Sequence, residues 1–165
     1  MHLKDRMNKL LSRTALRRRL TALRRAGKRV VFTNGCFDLI HPGHVRYLRA
    51  AKRLGDVLVV ALNGDASVRR LKGPQRPLVC QRDRCEVIGA LEMVDYVTVF
   101  NEDTPYELIK RIQPDVLVKG GDWKPQQIVG ADVVRARGGR VRSLRFAPGY
   151  STTRLVQRIR ADHTR

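Results

Sequence analysis

The chain has 165 residues, 42% of them hydrophobic, which suits a single domain with a buried core. No apolar run approaches the length of a membrane span, and the basic N-terminus lacks the apolar segment of a secretory signal. Three cysteines without a C-x-x-C pair argue against a disulfide framework, so we expect a cytoplasmic protein that does not bind a membrane.

The net charge of +19 is concentrated at the two ends of the chain. Residues 1–29 carry eleven lysines and arginines against one aspartate, and residues 135–165 carry nine arginines against one aspartate. The segment between them is nearly neutral. A basic rim attracts anions or nucleic acid, but no aromatic residues interleave with these charges as a platform for single strands requires. We therefore interpret the terminal charge as solvated helix faces and expect no specific nucleic-acid partner.

Hydrophobic periodicity predicts helices and strands that alternate along the chain. Residues 1–27 contain a basic amphipathic helix, Leu10–Ala26, which ends at Gly27; the main domain covers 28–160, and 161–165 form a tail. The predicted strands of the main domain are Arg29–Thr33, Val57–Asn63, Tyr96–Phe100, Val116–Lys119 and Arg140–Leu144. The predicted helices are Gly43–Leu54, Ala66–Leu71, Arg82–Leu91, Pro105–Ile112, Gln126–Arg137 and Ser151 to about Arg160.

Near-continuous apolar strands separated by helices are typical of a parallel sheet that is covered on both faces. With right-handed crossovers, they predict a single doubly wound, five-stranded parallel sheet in a Rossmann-like α/β fold. Such sheets bind ligands beyond the carboxyl ends of their strands, where the strand order reverses. We therefore expect site residues in the loops after the first, second, fourth and fifth strands.

The loop after the first strand reads T-N-G-C-F-D at residues 33–38 and leads into H-P-G-H at residues 41–44. Its glycine permits close backbone approach, and a helix N-terminus adds partial positive charge, so the segment suits the phosphates of a nucleotide. His41 and His44 share one face of the first helical turn. A zinc site is the alternative, but Cys36 is the only further ligand nearby, and we predict no metal site there.

The loop after the second strand places polar groups at the edge of the sheet. Asp65 is suited to accept hydrogen bonds from sugar hydroxyls, and Arg69 and Lys72 are suited to a second anion. The alternative is a capped helix with an exposed basic face. We adopt that alternative for Arg70 and leave both interpretations open for Asp65 and Lys72.

The later loops offer further groups for an anion. Lys119 ends the fourth strand before two glycines, where its ammonium either reaches a phosphate or extends to solvent. Trp123 packs over a ligand or anchors its loop. The closing G-Y-S-T-T-R at residues 149–154 supplies hydroxyls and the free N–H groups of a starting helix. Ser151 as an N-cap explains one hydroxyl but not the cluster. The two helix N-termini are expected to converge on one polyphosphate.

Several familiar site motifs are absent from the chain. It contains no G-x-x-x-x-G-K-[ST] and no G-x-G-x-x-G, which argues against a P-loop kinase and a dinucleotide-dependent oxidoreductase. It contains no G-x-S-x-G, which argues against a Ser-His-Asp hydrolase.

Together, T-N-G-C-F-D-x-x-H-P-G-H, K-G-G-D-W and G-Y-S-T-T-R resemble the motifs of the H-x-G-H nucleotidyltransferase superfamily. The resemblance covers roughly Lys28 to Ile159 and is closest to the heptose 1-phosphate adenylyltransferase domain of ADP-heptose synthase. It implies that D-glycero-β-D-manno-heptose 1-phosphate attacks the α-phosphorus of ATP, with Mg²⁺ as the expected ion. The products are ADP-heptose, for lipopolysaccharide core synthesis, and pyrophosphate. A cytidylyltransferase acting on glycerol phosphate or an amino-alcohol phosphate is the alternative.

The motifs and the resemblance together give three sets of candidate site residues. The candidate catalytic residues are His41, His44 and Lys72. The candidate nucleotide-binding residues are Thr33, Asn34, Gly35, Phe37, His41, His44, Lys119, Gly120, Gly149, Tyr150, Ser151, Thr152 and Thr153. The candidate substrate-binding residues are Asp38, Asn63, Asp65, Arg69, Lys72, Asp122 and Trp123. Because a helix N-terminus disfavours a protonated imidazole, we expect both histidines to be neutral hydrogen-bond donors.

The resemblance also implies partners. In this family the domain is often fused behind a sugar kinase, and nothing of that size precedes it here, so we expect a separate sugar kinase in the pathway. Relatives commonly form dimers, so we expect a homodimer or a higher homo-oligomer.

Overall fold

The computed structural model describes residues 9–145 and 149–162 and consists of one parallel sheet with helices on both faces. The strands are β1 Val30–Gly35, β2 Val57–Asn63, β3 Tyr96–Phe100, β4 Val116–Gly120 and β5 Arg140–Leu144. The α-helices are α1 Arg13–Arg25, α2 Pro42–Lys52, α3 Asp65–Lys72, α4 Gln81–Ala90, α5 Tyr106–Ile112, α6 Ala131–Ala136 and α7 Thr152–Asp162. Of the predicted tail, residues 163–165 lie outside the described residues.

The strand order is β3-β2-β1-β4-β5, and every pairing between these strands is parallel. The order reverses between β1 and β4, because the chain first adds strands on one side of β1 and then returns to its other side. This confirms the predicted doubly wound fold and places the crevice for a ligand beyond the carboxyl ends of β1 and β4.

Helices cover both faces of the sheet, and this explains why its strands are almost continuously apolar. Val30 and Phe32 of β1 point into a core formed with α1, α5 and α6, and Val31 points into a second core formed with α2 and α4. All seven residues of β2 are buried. The described part of the chain contains no helix with the length and apolar character needed to cross a bilayer.

The N-terminal helix is part of the first core. Leu16 and Leu20 of α1 are fully buried among residues of the sheet and α5. The helix begins three residues later than predicted because Leu10 pairs with Val97 in a parallel β-bridge, and the Ser12 hydroxyl accepts the N–H of Ala15 at 3.2 Å as the N-cap.

The predicted helix Gln126–Arg137 is wrong as one element. The chain forms a 3₁₀-helix over Pro125–Gln127, turns, and restarts as α6 after Gly130, whose φ is +85°. A Cβ on Gly130 would lie 2.6 Å from Cδ1 of Ile109 on α5, so the left-handed turn also allows close packing of the two segments.

Candidate active site

A cavity of about 590 Å³ opens beyond the carboxyl ends of the strands, where a doubly wound sheet binds its ligands. It brings together residues from every loop that the sequence singled out. The predicted residues that line it are Asn34, Gly35, Phe37, Asp38, His44, Asn63, Lys72, Lys119, Gly120, Trp123, Thr152 and Thr153. His44 and Thr152 therefore face the same space, although they are far apart in the chain.

The segment from β1 to α2 fixes the orientation of His44. Phe37 has a left-handed backbone with φ 46°, and its buried ring meets the His44 ring edge-on, with centroids 5.2 Å apart. His41 caps α2, and its ring stacks on His44 at 3.8 Å and 18°. Nδ1 of His44 is buried and has no hydrogen-bond partner among the described residues.

Both histidines favour the neutral state, as the sequence predicts, and burial is the main cause. Burial, followed by the neighbouring His41 ring, lowers the pKa of His44 to about 4. Burial also lowers the pKa of His41. The long hydrogen bond of 3.4 Å from the His44 N–H to Nδ1 of His41 requires that nitrogen to be unprotonated. Burial of both rings, together with repulsion from His41 at His44, therefore favours the neutral imidazoles.

The start of α7 lies against the start of α2. Oγ1 of Thr152 donates to the carbonyl of Leu39 at 3.4 Å, and the Tyr150 ring stacks on His41 with centroids 6.1 Å apart. A Cβ on Gly43 would lie 3.0 Å from both the His41 ring and Cβ of Tyr150, so glycine permits this approach. Two helix N-termini, each with the partial positive charge of a helix start, thus border one cavity.

Lys72 and Lys119 give the cavity positive charge. Burial lowers the pKa of Lys119, with Cys36 acting to raise it and Lys72 to lower it further. The two ammonium groups are therefore close enough to repel each other, and a phosphate bound beside them would relieve that repulsion.

The remaining predicted site residues do not line this cavity. Thr33 lies beneath it, where its hydroxyl shares a 2.6 Å hydrogen bond with Tyr47. Asp65 accepts from the buried Arg84 at 2.8 Å, and Asp122 is an exposed partner of Arg145 at 3.2 Å. The Ser151 hydroxyl accepts the N–H of Arg154, so it caps α7. His41 lies behind His44, and the others outside the lining are Arg69, Gly149 and Tyr150.

The structure adds lining residues that the sequence analysis did not single out. Asp103, Thr104 and Pro105 follow β3, the one strand whose carboxyl end we had not considered. Ligands bind beyond the carboxyl ends of parallel strands, and considering this for all five strands would have indicated these three residues. Arg70, which we interpreted as part of an exposed basic face, binds Asp103 at 2.8 Å and so anchors this loop.

Arg76 and Arg84 were also missed. Arg76 lies in the loop after α3 and lines the cavity. Arg84 is fully buried and donates to the carbonyl of Cys36 at 2.6 Å, to the carbonyl of Val79 at 3.0 Å and to Asp65 at 2.8 Å. A chain with many surface arginines gives no pattern that separates these two from the rest.

The fold and the cavity define a doubly wound α/β protein with a cavity at its strand-order reversal, lined by two lysines and bordered by two helix N-termini. Residues 32–158 match the family described as cytidylyltransferase-like, so the chain belongs to that family and is a nucleotidyltransferase. This confirms the superfamily that the H-x-G-H motif indicates.

Curated relatives match most of the chain. It is 55% identical over 152 residues to "Bifunctional protein HldE" of Syntrophotalea carbinolica, which covers 92% of this chain and 31% of the relative. It is 58% identical over 146 residues to the protein of the same name from Rhodopseudomonas palustris, which covers 88% of this chain and 30% of the relative. The chain therefore spans about a third of the length of these relatives.

Solved structures share the fold. The lipopolysaccharide core biosynthesis protein from Thermoplasma volcanium is similar with a TM-score of 0.60 and 27% identity, over 73% of this chain and 98% of that chain. The pantoate-beta-alanine ligase from Francisella tularensis, crystallised with beta-gamma ATP and beta-alanine, has a TM-score of 0.57 at 14% identity, over 82% of this chain and 66% of that chain. The second likeness shows the fold alone.

Proposed function

We propose that this chain transfers AMP from ATP to D-glycero-β-D-manno-heptose 1-phosphate, giving ADP-heptose and pyrophosphate. The observation that carries the proposal is the 55% identity to a bifunctional HldE protein along 92% of the chain. The shared fold with a lipopolysaccharide core biosynthesis protein supports the same assignment. The cytidylyltransferase alternative is less well supported by these relatives.

In the proposed reaction, an oxygen of the acceptor phosphate attacks the α-phosphorus of ATP in line. The bond from that phosphorus to the bridging oxygen breaks, and pyrophosphate leaves. Because the attacking group is already an anion, the site needs no activated nucleophile and no strong base. It has to position two anions and offset the charge that grows on pyrophosphate. His44, the hydroxyls of Thr152 and Thr153 and the two lysines supply donors and positive charge for this task.

The reaction requires a divalent cation, for which we propose Mg²⁺. Within residues 9–145 and 149–162, no three His, Cys, Asp or Glu side chains converge on a metal site. Mg²⁺ in phosphoryl-transfer sites keeps several waters and binds largely through substrate phosphates. The residues present therefore fit a cation that enters on the triphosphate and offsets the charge of the leaving pyrophosphate.

The proposal is tested by pyrophosphate release from the purified chain with ATP or CTP and a panel of phosphates. The panel contains heptose 1-phosphate in both anomers, glucose 1-phosphate, glycerol 3-phosphate and phosphoethanolamine. We expect release with ATP and the β-anomer of heptose 1-phosphate, and ADP-heptose as the second product. Turnover with CTP and glycerol or amino-alcohol phosphate, but not with ATP and heptose 1-phosphate, would replace the proposal by its alternative.

We further propose that a separate sugar kinase supplies the acceptor and that the protein is cytoplasmic, where ATP is available. We also propose that it forms a homodimer or a higher homo-oligomer. The dimer proposal is supported by two exposed apolar side chains, Leu78 before the start of α4 and Val87 within α4, which are 49% and 45% exposed. Light scattering at micromolar concentration tests the dimer, and replacing Val87 by Glu is expected to yield monomers.

A further inference from the structure

Asp38 is a buried carboxylate whose oxygens are occupied by the loop that follows α3. Its side chain is 2% exposed. Oδ2 accepts Nε of Arg76 at 2.5 Å, and Oδ1 accepts the backbone N–H groups of Leu78 at 2.8 Å and Val79 at 2.9 Å. Burial acts to raise the pKa of Asp38, but these two amides and the guanidinium hold it below its usual value. Asp38 therefore ties the loop after β1 to the loop after α3.

Arg76 is bound to Asp38 through Nε, and it is one of the residues that line the cavity. A guanidinium carries five N–H donors in a rigid fork, and Asp38 occupies the one at Nε. The terminal nitrogens of Arg76 make no hydrogen bond to another described residue, and its side chain is 21% exposed and lines the same cavity as Lys72. The terminal nitrogens are thus available to an anion in the cavity, and a planar fork suits a phosphate.

The strand order decides which anion lies near Arg76. The crevice lies between β1 and β4, with the N-terminus of α2 following β1 and with Lys119 and α7 following β4 and β5. Arg76 lies in the connection between β2 and β3, the two strands on the side of β1 away from β4. A triphosphate bound at the helix N-termini leaves the side near Arg76 for the second substrate.

We infer that Arg76 binds the phosphate of the acceptor and that Asp38 is a positioning residue that acts through Arg76. This inference rests on the proposed function, because it assigns the attacking phosphate of that reaction to a named side chain. The sequence suggested Asp38 as a direct substrate ligand, whereas here it orients Arg76 and does not contact the substrate itself.

The first test compares Arg76→Ala and Arg76→Lys with the native protein. We expect Arg76→Ala to raise the KM for the sugar 1-phosphate about 10- to 100-fold, the scale of losing a charge-assisted contact, with the KM for ATP within about twofold. Arg76→Lys keeps the charge but not the fork, so its KM should lie between the two. The matched control is Arg82→Ala, an exposed arginine on α4 outside the cavity lining. A change confined to the KM for ATP, or no change, would overturn the inference.

The second test asks whether Asp38 acts through Arg76. If it does, Asp38→Asn raises the KM for the acceptor, but adding it to Arg76→Ala causes no further rise. Thermal unfolding of each variant separates this coupling from loss of the fold. Additive effects on the acceptor KM would assign Asp38 an independent role and overturn that part of the inference.

A third measurement separates this inference from the proposed function. Inorganic phosphate is titrated into the native protein and into Arg76→Ala by calorimetry, each saturated with a non-hydrolysable ATP analogue. Weaker phosphate binding by Arg76→Ala supports the assignment, even if heptose 1-phosphate gives no turnover. Equal affinity in the two proteins contradicts the assignment, even if heptose 1-phosphate is a substrate.

Discussion

Two ring contacts and a backbone hydrogen bond fix the position of His44. The His41 ring covers one face of its imidazole, the Phe37 ring meets it edge-on, and its backbone N–H bonds the carbonyl of His41 at 2.9 Å. The ring is thus oriented before a ligand arrives, which is the condition for a hydrogen bond that strengthens in the transition state.

Replacing His44 by Ala is expected to lower kcat by about 100- to 1,000-fold, the scale of losing one donor to transition-state charge. Steady-state pyrophosphate release measures the effect. His44→Gln, which keeps an N–H donor of similar reach, serves as the control and should recover part of the loss. A decrease in kcat below about threefold would remove His44 from the mechanism.

The low pKa of His44 also predicts how stability depends on pH. In the folded protein the pKa is about 4, whereas a histidine in the unfolded chain titrates near 6.5. As the pH falls from about 6.5 to 4, the unfolded state takes up a proton that the folded state excludes, and stability declines. Between pH 7 and 4, the native protein should lose on the order of 2 kcal/mol more than His44→Gln in urea denaturation. If the native protein and His44→Gln lose the same free energy of unfolding, the lowered pKa of His44 is contradicted.

The sequence predicts that the two histidines lie together at the start of a helix, but it does not predict their surroundings. His41 is the N-cap rather than part of the first helical turn, and only His44 lines the cavity. The lowered pKa depends on burial by groups from other parts of the chain. That burial is a property of the tertiary fold, and no local spacing encodes it.

At the level of elements, Arg84 connects α4 to three other segments. Its guanidinium bonds the loop after β1 through Cys36, the loop after α3 through Val79, and the start of α3 through Asp65. A buried guanidinium is stable only when its N–H groups find acceptors, and here two backbone carbonyls and one carboxylate accept them. One of these carbonyls belongs to Cys36, which lines the cavity.

Arg84→Met is therefore expected to cost about 2–4 kcal/mol of unfolding free energy, because the carbonyls and Asp65 lose their donor. Urea denaturation measures the cost, and Arg82→Met, two positions earlier on the exposed side of α4, provides the matched comparison. If both variants unfold at the same urea concentration, the network around Arg84 contributes nothing to stability.

Most element boundaries follow from the sequence because apolar runs and caps are local signals. The segment before α6 departs from the prediction for a tertiary reason. Its apolar residues have helical spacing, but the approach of Ile109 on α5 leaves no room for a Cβ at Gly130, and the backbone turns there. The contact joins residues far apart in the chain, so local spacing does not reveal it.

At the scale of the whole molecule, α1 is built into the core rather than attached beside it. Leu16→Ala is expected to destabilise the protein by about 2–5 kcal/mol, the range for truncating a buried leucine. Leu10→Ala, at a position that is 52% exposed, should change stability by less than about 0.5 kcal/mol. Thermal and urea unfolding measure both. A similar small effect in the two variants would show that α1 folds independently of the sheet.

The sheet and the general location of the cavity could be predicted because parallel strands place all their carboxyl ends on one side. Which side chains reach that space could not. Lys119 and Asp122 stand three positions apart, yet Lys119 lines the cavity and Asp122 pairs with Arg145 in solvent. Loop backbone geometry decides such outcomes, and residue type alone does not encode it.

The segment before α1 completes one margin of the sheet. Leu11 donates its N–H to the carbonyl of Val97 at 2.9 Å, and Val97 donates to the carbonyl of Lys9 at 2.8 Å. An uncovered margin would present a row of unpaired amides to a strand of another molecule, which is how folded proteins begin to aggregate. At the opposite margin, Arg140 and Arg142 of β5 are exposed and repel an approaching copy. The two edges of the sheet are therefore protected from pairing with another molecule in different ways. Backbone hydrogen bonds cover β3, and arginine side chains flank β5.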